Sequence, residues 1–393
     1  MKVISLKAKV IKDTRGDKTI EVTLKTSKGT FIASAPNGKS TGINEVPMWK
    51  KSLNGDIKTI NDYFIEEINF NKFDDLKIIE DIFSSIIGGN SLIAIEFVFL
   101  KALAKQEEKE VWELINSHRE KLNKFPMPVG NIMEGGLHSS SKIKPNFQEF
   151  HIIPIIASFE QAVKINKRAW ENCREILKNI DKTFKGKTSD ENAWITSLSD
   201  EQTIEVLKEV KDNMQDEFNR TIHIGMDIAA SSFFKINKYI YKNPKSIKSK
   251  DEQIKYMQML SKDFFYIEDP LEENDFEGFS KIKEKSANGT LIVGDDLTTT
   301  SVERIIAAKK RNSINGVIIK PNQIGSLLKV KEAVDYCKKN NIKTIFSHRS
   351  GETSENILAD LAFGFGADFI KTGTCGKDRD EKLNRMIEIE RSL

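Results

Sequence analysis

The sequence predicts an α/β protein in two parts, an N-terminal α+β domain at residues 1–124 and a (β/α)8-like barrel domain at residues 125–393. Three observations lead to this prediction. Apolar and polar residues alternate near the start of the chain, helical periodicity follows, and beyond Pro126 short apolar strands alternate with amphipathic helices. A chain of 393 residues also has room for a small domain and a barrel of about 250 residues.

The first domain is predicted to be a three-stranded antiparallel meander followed by helices. Ile20, Val22 and Leu24 alternate with polar residues, which is the period of a half-buried strand, and a turn at residues 27–29 leads into the next strand. Two apolar helical faces follow, formed by Ile57, Ile60, Phe64 and Ile65 and by Leu92, Ile95, Phe99 and Leu103.

The second domain contains six short apolar segments that are predicted to be parallel strands separated by helices. They are residues 222–226, 264–267, 291–293, 316–319, 343–346 and 368–370. An ionisable residue stands at or just beyond the end of each segment, in order Asp227, Glu268, Asp295, Lys320, His348 and Lys371. Because the carboxyl ends of barrel strands meet on one face, we expect these six side chains to converge there.

The types of these side chains indicate metal-assisted proton chemistry. Asp227, Glu268 and Asp295 offer the hard oxygen ligands that a divalent cation such as Mg²⁺ prefers. Taken singly, an Asp in such a place is usually a helix cap or a loop residue, so a structural role stays open for each Asp, whereas Glu268 is a poor helix cap. Beside a metal ion, Lys320 or Lys371 would have a lowered pKa and could act as a base.

The segment His348-Arg349-Ser350 adds a positive patch with hydrogen-bond donors. Arginine is suited to a bidentate grip on phosphate or carboxylate. Acids for a metal, a lysine base and an anion patch together suggest removal of a proton next to a carboxylate, with the metal stabilising the enediolate.

Motifs spread over nearly the whole chain, in the same order, resemble those of the enolase family. They are Asp13-Thr14-Arg15-Gly16, residues 38–42, Asn131 to His138, Gln148-Glu149-Phe150, Glu268-Asp269-Pro270, residues 294–298, residues 320–325 and residues 347–353. The resemblance implies an enolase-type barrel and phosphopyruvate hydratase activity. That activity is the reversible dehydration of 2-phospho-D-glycerate to phosphoenolpyruvate and water in glycolysis and gluconeogenesis.

The resemblance also implies the cofactor. Two Mg²⁺ ions per site would be bound. Asp227, Glu268 and Asp295 would hold the first, which bridges the substrate carboxylate. Ser40, on a glycine-flanked loop, would bind the second ion together with the phosphate.

Four catalytic roles follow from the same resemblance. Lys320 would remove the C2 proton of the substrate, and Glu191 would protonate the departing C3 hydroxyl as general acid. Glu149 would lie beside Glu191, and His138 would close over the substrate on its own loop.

The remaining matched residues would bind the substrate. Arg349 and Ser350, in the patch with His348, would hold the phosphate, and Lys371 would hold the carboxylate. The small-molecule substrate is the expected partner, together with further copies of the chain, because the family forms homodimers or larger homo-oligomers.

Several loops depart from the family pattern. Lys39 stands where alanine is usual, residues 189–194 lack the usual glycines beside Glu191, and residues 139–141 are serines. The departures remove no catalytic residue, but two alternatives stay open. One is a diverged enzyme that dehydrates another phosphorylated or carboxylated acid, and the other is a non-catalytic scaffold with the enolase fold.

Composition narrows the remaining possibilities. A net charge of +3 without a block of like charges argues against nucleic acid as a partner. The first residues contain no apolar leader, and no stretch has the length and apolarity of a membrane span, so we expect a cytoplasmic protein. Cys173, Cys337 and Cys375 are too widely spaced to predict a disulfide framework or a metal site.

Overall fold

The computed structural model describes residues 1–39, 42–64, 68–116 and 124–393. The N-terminal part is a three-stranded antiparallel sheet in the order β1-β2-β3 with helices beside it, as the sequence predicts. Its elements are β1 (Val3–Lys12), β2 (Lys18–Thr26), β3 (Gly29–Ser34), α1 (Leu53–Asp62), α2 (Leu76–Phe83), α3 (Gly89–Glu107) and α4 (Val111–Ile115).

The alternation that predicted the second strand is confirmed, whereas one predicted helical face is partly wrong. Ile20, Val22 and Leu24 are all fully buried. Ile60 is buried on α1, but the helix ends at Asp62 and the Phe64 side chain is 82% exposed. The predicted position of Ile65 on that face lies outside the described residues.

Helix α3 is buried on nearly all sides, which the prediction of one apolar face did not anticipate. It packs against β2 and β3 on one side and approaches the barrel on the other. Glu96 on this helix accepts a hydrogen bond from the backbone N–H of Leu327 at 2.8 Å. This hydrogen bond connects the N-terminal part to the barrel helix α11 (Leu327–Lys339). Burial of the Glu96 carboxyl raises its pKa.

The second part is a barrel of strands with helices around it. Its strands are β4 (Met127–Pro128), β5 (Gly130–Glu134), β6 (Glu149–Pro154), β7 (Trp194–Ile195), β8 (Ile222–Asp227), β9 (Phe234–Lys235), β10 (Lys238–Lys242), β11 (Lys245–Ser249), β12 (Tyr266–Glu268), β13 (Leu291–Gly294), β14 (Gly316–Ile319), β15 (Lys343–Ser347) and β16 (Phe369–Lys371). Its helices are α5 (Phe159–Ile180), α6 (Asp200–Phe218), α7 (Lys250–Leu260), α8 (Phe276–Lys285), α9 (Val302–Lys310), α10 (Pro321–Ile324), α11 (Leu327–Lys339), α12 (Ile357–Gly364) and α13 (Lys377–Ser392).

The main sheet is curled, and the chain itself links the strand at one end to the strand next to the other end. Its order is β4-β16-β15-β14-β13-β12-β8-β6-β5-β7, and only Val129 separates β4 from β5 in the chain. All six predicted strands are present, and a small apolar cluster that includes Val129, Tyr266 and Ile318 fills the barrel interior. The strands β9 to β11 form a separate small sheet after β8.

Strand β6 departs from the parallel pattern, because it runs antiparallel to both β5 and β8. The fourteen residues between β5 and β6 contain no helix that could carry a parallel crossover. As a result the first residue of β6, Glu149, lies in register with Glu134 at the end of β5 and with Asp227 at the end of β8.

The division at 124/125 remains a prediction, and residues 117–123 beside it lie outside the described part of the chain. None of the described helices is both long enough and apolar enough to cross a membrane.

The loop at residues 182–196, which carries Glu191, is anchored by the buried carboxylate of Asp181. Asp181 accepts hydrogen bonds from Thr183, Thr196 and Ser197, so it joins both ends of the loop. Burial raises the pKa of Asp181, but these hydrogen bonds outweigh burial and lower it to about 2.

We expect Asp181→Asn to lower the free energy of unfolding by about 2–3 kcal/mol near pH 7, because the amide loses charged acceptors. The folded pKa lies below the ordinary value of about 3.9, so the stabilisation is complete above that pH and is lost as the pH falls toward 2. Urea unfolding from pH 7 to pH 3 measures this. The exposed residue Asp216, changed to Asn, is the control, and a difference from wild type that stays constant with pH would contradict the assignment.

Candidate active site

The ends of the barrel strands surround a cavity of about 190 Å³ that also reaches the N-terminal part. It is lined by Gly38, Lys39, His138, Gln148, Glu149, Glu191, Asp227, Asp295, Lys320, His348, Arg349, Ser350 and Lys371, among others. The described residues that the sequence singled out are therefore brought together, with Glu268 directly behind this lining. Ser40, the predicted ligand of a second ion, lies outside the described residues.

Lys371, at the end of β16, is the buried cation that compensates three acids. Its Nζ lies 2.9 Å from Glu268 Oε2, 3.1 Å from Asp227 Oδ2 and 3.2 Å from Glu149 Oε2. Burial lowers the pKa of Lys371, but the three carboxylates raise it well above its ordinary value. Lys371 is therefore firmly protonated, which suits an anion-binding role better than a base.

One positive charge does not balance three acids. Burial and the neighbouring Asp227 raise the pKa of Glu268 to about 8, despite its contact with Lys371. Tyr266 donates a hydrogen bond from its hydroxyl to Glu268 Oε2 at 2.5 Å, whereas Glu268 Oε1 is buried without a hydrogen-bond partner among the described residues. When all three acids are ionised, this end of the barrel has an excess of negative charge.

Lys320 follows β14 and pairs with Asp295, which follows β13. Gln323 donates from Nε2 to the other oxygen of Asp295 at 2.9 Å. Burial lowers the pKa of Lys320, but Asp295 outweighs it, so the net shift is upward. The lowered pKa that is expected for Lys320 beside a metal ion stays a prediction, because the nearest charge here is the acid Asp295.

Glu149, Glu191, His138 and His348 form a second buried group, which we call the acid–histidine cluster. His348 Nε2 lies 3.1 Å from Glu191 Oε2, and His138 Nδ1 lies 3.5 Å from Glu191 Oε1. Burial raises the pKa of Glu191, but the two histidines outweigh it and hold the pKa well below its ordinary range. Lys371 likewise lowers the pKa of Glu149 to about 2 against the effect of burial.

The predicted anion patch contacts the N-terminal part. Arg349 donates to both oxygens of Glu45, from Nη1 at 3.0 Å and from Nη2 at 3.1 Å, in a bidentate pair. The hydroxyl of Ser350 accepts from Arg15 Nη1 and from the backbone N–H of Lys39, both at 2.9 Å. The sequence motifs near the start of the chain thus meet the patch at the end of β15.

Two of the altered loops also contact each other beside the cavity. Lys39 Nζ lies 3.2 Å from Asp190 Oδ2, next to Glu191. Both side chains are about two-fifths exposed, so this ion pair contributes little to stability. The added charge of Lys39 therefore faces an acid of the other loop.

The donors present fit a hard divalent cation. Asp227, Glu268 and Asp295 lie on or just after neighbouring strands, and the unpartnered Glu268 Oε1 is available to a ligand. Two described groups already bring possible ligand atoms within 4.8 Å of one another, Glu134 with His138, Glu149 and Glu191, and Asp269 with Asp295 and Asp296. The predicted triad is not one of these groups, and its role stays a prediction.

Sequence reasoning missed several buried groups of the site. Asp269 accepts backbone hydrogen bonds from Asp295 at 3.0 Å and Asp296 at 2.7 Å, so it shapes the loop after β13. Its presence within the Glu268-Asp269-Pro270 motif was a usable signal. Glu134 likewise lies within the Asn131 to His138 motif, whereas Glu45 carried no signal, because only the fold brings it to the site.

Comparison with known proteins decides the family. A family profile described as "Enolase, C-terminal TIM barrel domain" matches residues 123–393. The chain is 34% identical to an enolase of Methanosphaera stadtmanae over 97% of this chain and 95% of that one.

The chain belongs to the enolase family.

Other enolases agree over equally long alignments. The enolase of Thermoplasma acidophilum is 36% identical over 99% of this chain and 98% of that protein. The enolase of Picrophilus torridus is 37% identical over 97% and 96%. The enolase resemblance of the motifs and the barrel fold are thereby confirmed, and the N-terminal part is included in the match.

We expect Lys371→Met to lower the free energy of unfolding of this enolase-family chain by about 3–5 kcal/mol, because three buried carboxylates lose their cation. Urea unfolding in the presence of a chelator measures this. Lys343→Met is the matched control, since Lys343 pairs with Asp368 at 2.7 Å but is 48% exposed. The control should cost no more than about 1 kcal/mol, and equal effects of both variants would contradict the role of Lys371.

Proposed function

We propose that the chain is a phosphopyruvate hydratase that dehydrates 2-phosphoglycerate to phosphoenolpyruvate. It is an enzyme of the carbon–oxygen lyase class, as its family membership indicates. The observation that supports the mechanism is the convergence of both lysines, Asp227 and Asp295 on the cavity that also holds Glu191, with Glu268 behind its lining.

Binding comes first in the proposed mechanism. The guanidinium of Arg349 holds the Glu45 carboxylate with two parallel hydrogen bonds, the geometry with which arginine also binds phosphate. A substrate phosphate would replace Glu45 on Arg349 and take up hydrogen bonds from the Ser350 region. The ammonium of Lys371, already surrounded by carboxylates, would hold the substrate carboxylate.

Proton removal falls to Lys320. When bound, Mg²⁺ at Asp227, Glu268 and Asp295, with a second ion at Ser40, would neutralise the substrate carboxylate and stabilise its developing charge. If Asp295 held a cation, it would no longer raise the pKa of Lys320. The Nζ of Lys320 would then accept the C2 proton.

Glu191 is the group that protonates the departing C3 hydroxyl. Glu191 faces two imidazoles, His348 at 3.1 Å and His138 at 3.5 Å, so a proton is available within this group. Glu191 would deliver it to the C3 hydroxyl, with Glu149 beside it. The burial of all four side chains keeps water away from the reacting carbons.

We further propose a homodimer or larger homo-oligomer in the cytoplasm, with domains at residues 1–124 and 125–393. A diverged substrate or a scaffold role finds no support in the comparisons.

We expect purified protein with Mg²⁺ to convert 2-phosphoglycerate to phosphoenolpyruvate, followed by the ultraviolet absorbance of the product. Excess chelator should abolish the activity, and added Mg²⁺ should restore it, because the strand-end acids need a cation to bind the substrate carboxylate. Turnover of a different phosphorylated acid, with none of 2-phosphoglycerate, would instead favour the diverged enzyme.

We expect Lys320→Ala to abolish exchange of the substrate C2 proton with solvent, since no other base is assigned to that proton. Glu191→Gln should keep the exchange while blocking loss of the hydroxyl. Deuterium uptake at C2, measured by NMR beside product formation, distinguishes the two steps. Lys310→Ala, on the outer helix α9, is the control, and loss of exchange in Glu191→Gln would show that its role is not confined to the acid step.

A further inference from the structure

Glu134 is a buried carboxylate for which the proposed mechanism has no role. It is the last residue of β5, and its side chain is fully buried. The backbone of β5 pairs there with Glu149 of β6 and with Ile195 of β7, so the side chain lies beside the acid–histidine cluster. A carboxylate in such a place is costly unless a partner compensates its charge.

The negative charge of Glu134 is compensated mainly by one neighbouring side chain, His138. Asn131 donates from Nδ2 to Glu134 Oε1 at 2.6 Å, but the amide is neutral. The second oxygen, Oε2, accepts no hydrogen bond from the described residues. Among the described ion pairs within 4 Å, the cationic partner of Glu134 is His138, whose Nδ1 lies 3.6 Å from Oε1.

Three carboxylates surround the Nδ1 atom of His138, but none of them lies at a close hydrogen-bond distance. Its Nδ1 lies 3.5 Å from Glu191, 3.6 Å from Glu134 and 3.8 Å from Glu149. These distances are longer than a good hydrogen bond, so no single acid fixes the ring. Glu149 is also engaged by Lys371, which reduces its hold on the imidazole.

We infer that Glu134 is a positioning residue that holds the His138 imidazolium against Glu191 for the acid step. The effect on the acid step rests on the proposed function, whereas the contact between Glu134 and His138 does not. Glu191 has a second imidazole partner in His348, but Glu134 faces His138. Removing the charge of Glu134 therefore acts on His138 first.

The pKa values agree with this geometry. Burial lowers the pKa of His138, but Glu191, Glu134 and Glu149 outweigh it and raise the pKa to about 9. Burial and Glu191 raise the pKa of Glu134 to about 7, and His138 acts in the opposite direction. The imidazole is thus protonated near neutral pH, where Glu134 gains or loses its charge.

The variant Glu134→Gln tests the inference, because it keeps the side-chain volume and an acceptor for Asn131 but removes the charge. We expect kcat for dehydration to fall about tenfold with KM within about twofold, and C2 proton exchange to keep its wild-type rate. The alkaline limb of the kcat profile should move to lower pH, because the imidazolium of His138 loses a stabilising anion. NMR titration of the His138 ring should show the same downward pKa shift.

Further variants separate positioning from a general structural effect. Glu134→Asp keeps the charge and should recover most of kcat. In a His138→Gln background, Glu134→Gln should cause no further decrease, and an additive decrease would overturn the inference, as would a loss of C2 exchange in the single variant. If Glu134→Gln does not fold, Glu134→Asp takes its place in the titration and should show a smaller downward shift.

The titration also separates this inference from the proposed function. If the wild type fails to dehydrate 2-phosphoglycerate, the proposed function is wrong, but the His138 titration still decides whether Glu134 holds the ring. An unchanged His138 pKa in folded Glu134→Gln would overturn the inference, whatever the activity.

Discussion

The compensation of buried negative charge at the strand ends governs the rest of this site. Glu149, Asp227 and Glu268 share the single ammonium of Lys371, and all four groups are buried. An unpaired charge at such a depth costs several kcal/mol, so these acids can coexist only around a cation. The raised pKa of Glu268 shows that compensation is incomplete. A site with excess negative charge and oxygen donors is suited to a divalent metal ion.

The barrel topology produces this crowding. Parallel strands β8 and β12 place Asp227 and Glu268 opposite each other in register. The antiparallel strand β6 begins where its neighbours end, and so it adds Glu149 to the same face. The loop that makes this reversal possible carries His138, and hence one irregularity supplies both an acid and an imidazole to the cavity.

The N-terminal part completes the opposite side of the cavity. Arg349 would be a buried, costly cation if Glu45 and Asn322 did not bind it. Arg15 and the backbone of Lys39 similarly engage Ser350. The anion patch is therefore preorganised by residues more than 300 positions away in the chain, and a substrate phosphate competes with a carboxylate for it.

The sequence by itself determined six strands of the barrel and the ionisable residues at their ends, which meet because the carboxyl ends of parallel strands share one face. It also determined the family, through motifs that are local in the chain. It did not predict that β6 is reversed, that Glu134 faces His138, or that Asp295 raises the pKa of Lys320. Only the tertiary structure decided these, because pairing and pKa depend on the distance between charges, and local sequence patterns do not contain that distance.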